Sequence, residues 1–118
     1  MGQKTPAQLA DVAAEAIRAI NHLTMGTGDD WQYPGDAYDT VANLKRAVYG
    51  LPQALEQMSH LIERLAALDH IRSDKGGDGA DNVATALAGL RAAAKEATSL
   101  GGHLDAVHSA LSPLAWKE

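Results

Sequence analysis

Apolar positions along this chain fall into three stretches with helical spacing. In the longest, Ala37, Val41, Leu44, Val48, Leu51, Leu55, Met58, Ile62 and Leu65 follow one another at alternating steps of four and three. That is the period of a helix with one buried stripe. Ala54, Leu61 and Leu68 form a second row beside it, which widens the stripe enough to meet two neighbours. The spacing predicts helix over residues 36–70. Its one irregularity is Gly50-Leu51-Pro52, where proline removes a backbone hydrogen bond and crowds the preceding turn. The apolar register nevertheless runs on through Val48, Leu51 and Leu55, so a kink near residues 49–52, or a tight near-coaxial break, is expected rather than a full reversal.

The flanking stretches are equally periodic. Thr5-Pro6-Ala7-Gln8 has the elements of a capping box with proline at the first helical position. Leu9, Val12, Ala13, Ala16, Ile17, Ile20 and Leu23 then give one apolar face, predicting helix over 6–24. Asp81 or Asn82 can cap a last helix over 81–112, whose stripe is Val83, Leu87, Leu90, Ala94, Ala97, Gly101, Leu104, His108 and Leu111. Gly101-Gly102 costs about 1 kcal/mol of helix propensity per glycine relative to alanine and marks a place for a local kink. Between the second and third stretches, RSDKGGDGA has the composition of a flexible linker. Two helices of matched length joined by a short connection predict an antiparallel hairpin, with the first helix packed across it. The expected fold is therefore all-α. It is one domain over 1–118, an antiparallel bundle of three helices, or four if the central one breaks at Gly50-Pro52.

Composition narrows the chemistry. Ala and Leu dominate, Phe is absent and only 4% of residues are aromatic, which suits close helix packing. A formal charge of −5 gives no global attraction for nucleic acid, and Lys45, Arg46, Arg91 and Lys95 are scattered among acids. There is no cysteine, which removes disulfides, thiol catalysis and thiolate metal sites. The start MGQKTPAQLA lacks the apolar centre of a signal peptide, and no apolar run has membrane-spanning length. Pro6 stands where a myristoylation site needs Ser or Thr. A cytoplasmic protein with no membrane contact is expected.

No cofactor, metal or catalytic set is expected either. His103 and His108 are five apart, too far round the helix to share a metal. Glu56, His60 and Glu63 share a face, and Asp105 with His108 is a single Asp-x-x-His, but the chain has no Glu-x-x-His of a di-iron bundle. Asp74, Asp78 and Gly79 fail as a calcium loop, because Gly76 and Thr85 stand at ligand positions. The aromatic residues outside the helices, Trp31, Tyr33 and Trp116, are the candidate partner-binding residues. A Trp and a Tyr in a connection usually pack over the end of a bundle as a lid; the functional alternative is a recognition surface, since exposed aromatics anchor partners out of proportion to their number. The expected partner is a second copy of the chain, as a dimer, or another helical protein.

Three resemblances bear on function. The run YPGDAYDTVANLKRAVYGLPQALEQMSHLIER, with ALAGLRAAAKEATSLGGHLDAVHSAL further on, resembles a family of small uncharacterised all-helical actinobacterial proteins of streptomycete type, similar to accessory proteins of plasmids and integrative elements. That likeness implies an intracellular helical protein and brings no catalytic residues. Arg64 and His70 have the Arg-x5-His spacing that resembles HEPN-type ribonucleases of toxin–antitoxin pairs, with Leu65 where a polar residue usually follows the Arg. Trp31-Gln32-Tyr33 is similar to the turn of secreted Trp-x-Gly helical hairpins, but the glycine and the C-terminal Tyr-x-x-x-Asp/Glu export signal are missing. The expectation is a non-catalytic protein-interaction or accessory module that self-associates.

Overall fold

Thr5 opens the first helix as its sequence implies. The Gln8 amide nitrogen donates to Thr5 Oγ1 at 3.1 Å and the Thr5 amide to Gln8 Oε1 at 2.9 Å, a complete capping box. The computed structural model describes residues 2–118, with four helical segments: α1 (Pro6–Leu23), α2 (Pro34–Tyr49), α3 (Leu51–Ala67) and α4 (Ala80–Leu111). It is an all-α helical bundle in which α2 and α3 form one bent helix. Gly50 keeps right-handed helical backbone angles (φ −83°, ψ −15°) and bridges the two halves. Its carbonyl accepts from the Ala54 amide at 3.2 Å. Proline at the second position of α3 needs no amide partner there, so the apolar register passes through the bend intact.

Some boundaries differ from those the periodicity predicts. Helix begins at Pro34 rather than residue 36, because Asp36 Oδ2 accepts the amides of Gln32 and Tyr33 at 2.9 and 3.0 Å and turns the chain early. Two backbone hydrogen bonds stabilise that carboxylate and hold its pKa below the usual value. The central helix ends at Ala67, where Asp69 takes a left-handed backbone (φ 60°). The stretch read as a flexible linker is a hydrogen-bonded turn, with the Ser73 amide donating to the Gly77 carbonyl at 3.0 Å. The expected cap at Asp81 or Asn82 gives way to Gly79, whose φ of 73° suits glycine. Asp78 Oδ1 accepts the Ala80 amide at 3.0 Å beside it. The last helix then runs unbroken through Gly101-Gly102.

Packing is antiparallel and linear. α2 and α3 lie end to end along α4, each touching it far more than they touch one another. Tyr38 stacks on His108, Lys45 meets Asp105, and Tyr49 lies on Gly101. Further along, Ser59 and His60 border one cleft with Ala94, and Ala66 borders another with Leu87. The 32 residues of α4 span about 48 Å, which matches the combined length of α2 and α3. Small side chains let the axes approach. Ala97 is only 7% exposed, and Ser59 and Gly101 are the other buried positions among the described residues. A Cβ added at Gly101 would stand 2.7 Å from Tyr49 Cε1, so glycine is what admits the ring at the bend.

α1 is placed differently from the expectation that it packs across the hairpin. No Cα of α1 comes within 8 Å of one in α2, α3 or α4. Only its last turn is engaged, where Ile20, Leu23 and Thr24 border a hollow with Trp31 and Thr40. The structure is long, at 67 × 33 × 27 Å. Among the described residues no helix is long and apolar enough to cross a membrane.

Candidate functional site

The two sides of the α3–α4 hairpin differ in chemistry. With 100° of turn per residue, Glu56, His60 and Glu63 of α3 come to one side of the line that faces α4. Arg91, Lys95 and Thr98 of α4 come to the same side. Together they line an open cleft of about 430 Å³. Its acids on one helix and bases on the other make a solvated, charge-balanced seam. Ser59 is buried at its floor, with its hydroxyl donating to the Leu55 carbonyl at 3.3 Å, so that hydroxyl is held by its own helix.

The opposite side is apolar and uncovered. Leu51, Ala54, Met58, Leu61, Leu65 and Leu68 recur along α3 at steps of three and four, the repeat of a helix–helix seam. Leu51, Met58, Leu61 and Leu68 are between 43% and 58% exposed. On α4, Ala93, Leu100 and Val107 follow every seven residues on the matching flank, and Leu100 and Val107 are also exposed. On α1, Leu9, Val12, Ile17 and Leu23 are between 47% and 72% exposed. No large side chain of the described residues is fully buried. The accessible surface is 9322 Å², against about 6,100 Å² expected for a folded monomer of 12.4 kDa. The excess is roughly 3,200 Å²; it reflects the elongated shape with α1 standing apart, and the flanks just named are part of it.

The aromatic candidates divide. Tyr33 and Trp116 come together edge to face with centroids 5.1 Å apart, so the C-terminal tail folds back over the start of α2. Both remain about half exposed. Trp31 is apart from them. Its amide and carbonyl pair with those of Gly28 at 3.1 and 3.2 Å, and its side chain is half-buried against the end of α1. Trp31 therefore closes the α1–α2 corner, whereas Tyr33 and Trp116 form a small aromatic cap at the bundle end.

The remaining chemistry-bearing residues do not converge. Arg64 lies on α3 and His70 beyond its end, both exposed, and neither side chain has a hydrogen bond among the described residues. Among the described residues no three His, Asp or Glu side chains gather as a metal set. One polar group escaped the sequence reading. Lys45, with its side chain 19% exposed, donates to Asp105 Oδ1 at 3.1 Å. It also approaches His108 Nδ1 at 3.4 Å, while the His108 ring stacks on Tyr38 with centroids 4.4 Å apart. This cluster fixes the register of α2 on α4. Sixty residues separate Lys45 from Asp105, so no local pattern could have paired them. No protein-family model, curated protein or solved structure matches the chain.

Proposed function

We propose that the chain is a non-catalytic protein-interaction or accessory module of the cytoplasm that works as a self-associated helical assembly. One observation carries this reading: a seam-type apolar repeat on α3 leaves Leu51, Met58, Leu61 and Leu68 exposed, with Ala54 and Leu65 half-buried between them. Contiguous apolar surface of this extent marks an interaction site in a water-soluble protein. Obligate homodimers bury about 2,000–5,000 Å² in total, or roughly half that per chain, which absorbs much of the excess surface.

The test is sedimentation equilibrium of the full chain. The expected mass is at least twice the 12.4 kDa of one chain. Leu61→Lys, which puts a charge in the middle of the stripe, should shift the mass toward one chain while helical circular dichroism persists. A wild-type protein that sediments as a single chain at micromolar concentration refutes the reading.

A further inference from the structure

Two uncovered apolar surfaces of one chain have the same length and cannot meet within it. α1 has 18 residues and spans about 27 Å. The α3 stripe from Leu51 to Leu68 spans about 26 Å. α1 is anchored where Ile20 and Thr40 border one hollow. Laid back along its own chain from that point, Leu9 is eleven residues from Ile20 and reaches no further than Leu51, eleven residues beyond Thr40. Met58, Leu61, Leu65 and Leu68 would stay bare. The flank that α1 would cover instead carries Thr40, Asn43 and Ala47 of α2 with Val107 of α4 beside them, a smaller apolar surface than the α3 stripe.

We infer that α1 of one copy docks on the apolar flank of α3 and α4 in a second copy, with the second copy's α1 returned in kind. This inference rests on self-association and names the surfaces that perform it. A two-fold axis pairs the two surfaces reciprocally and leaves neither over. It covers an 18-residue helix that is marginal alone in water, and the seven-residue repeat on the groove supplies holes for its side chains. An interface of obligate size removes about 1,000–2,500 Å² from each copy, a large part of the roughly 3,200 Å² by which this chain exceeds a compact monomer.

The chain contains no cysteine, so single cysteines report without background. Full-length Ala16→Cys and Leu61→Cys chains are made separately, checked for unchanged helical circular dichroism, mixed to exchange subunits and treated with a short bis-maleimide. Both positions are central in their stripes, so the result does not depend on the direction in which the helices cross. The expected product is a two-chain species that joins the introduced thiol on α1 of one variant to the introduced thiol on α3 of the other. Peptide mass assigns the link, and either variant alone should give little product. Linkage of Leu61→Cys to itself or of Ala16→Cys to itself overturns the docking of α1 but leaves self-association standing. A one-chain cross-link in the Ala16→Cys/Leu61→Cys double variant also overturns it, by placing α1 on its own hairpin. Absence of any product with single-chain sedimentation removes both readings.

Discussion

Gly101 and Gly102 are chemically identical neighbours in one helix, yet the structure gives them opposite fates on replacement by alanine. Each substitution gains about 1 kcal/mol of helix propensity. At Gly102 no atom would come within 4 Å of the new Cβ, so the full gain should appear. At Gly101 the Cβ would stand 2.7 and 2.8 Å from Tyr49 Cε1 and Cδ1, which forces the ring off α4. Overpacking of this kind costs about 1–3 kcal/mol, which cancels or exceeds the gain. Gly102→Ala should therefore be more stable than Gly101→Ala by about 1–3 kcal/mol, a gap of several degrees in Tm for a chain of this size. Thermal and urea unfolding at one fixed protein concentration measures it, since association would otherwise shift Tm. Adding Tyr49→Ala closes the cycle. On that background the two alanine substitutions should become equivalent, because the clash has been removed. Equal stability of the two single variants in the wild-type background would show that Tyr49 does not hold the bend against α4.

Three further outcomes follow from other contacts. Asp36, stabilised as a carboxylate by the Gln32 and Tyr33 amides, has a folded pKa below its unfolded value. Its contribution is present above the unfolded carboxylate range and lost as pH falls through the folded value. Asp36→Asn should therefore flatten the acid limb of helical circular dichroism below about pH 4; an unchanged limb argues against the cap. Asp105→Asn should cost about 0.5–1 kcal/mol, as a partly exposed ion pair does, and in a double-mutant cycle with Lys45→Met the coupling should fall when salt is raised. A Tyr33→Ala/Trp116→Ala cycle should give a coupling of about 0.5–1.5 kcal/mol, and zero coupling would mean that the tail does not rest on α2 in solution.

The fold was legible in the sequence wherever one helix face decides the outcome. The unbroken register from Val48 through Leu51 to Leu55 announced a bend rather than a reversal, and Gly50 with helical angles is how the chain makes it. Thr5 and Gln8 announced their own cap. What periodicity leaves open is which neighbour covers a face. Leu9, Val12 and Ile17 gave the same signal as a buried stripe, although in the structure they face water. The aromatic candidates were half legible: Tyr33 and Trp116 do come together, but only the fold brings residues so distant in sequence into one cap. Lys45 looked like a solvated base because Asp105 and His108 reach it from the far end of α4.

The division of α4 between two partners gives the chain two zones of different durability. Its first half meets α3 across a short turn, so those contacts are close in sequence and form with little loop-closure entropy. Its second half meets α2, and the contacts that join them, Lys45 with Asp105 and Tyr38 with His108, bridge some sixty to seventy residues. Because α2 and α3 barely support each other, loss of the second zone need not disturb the first. The α3–α4 turn region is thus the natural nucleus, and α2 with the last turns of α4 is the unit that opens first. Slow amide exchange should concentrate at the turn end of the hairpin and fade toward Leu111.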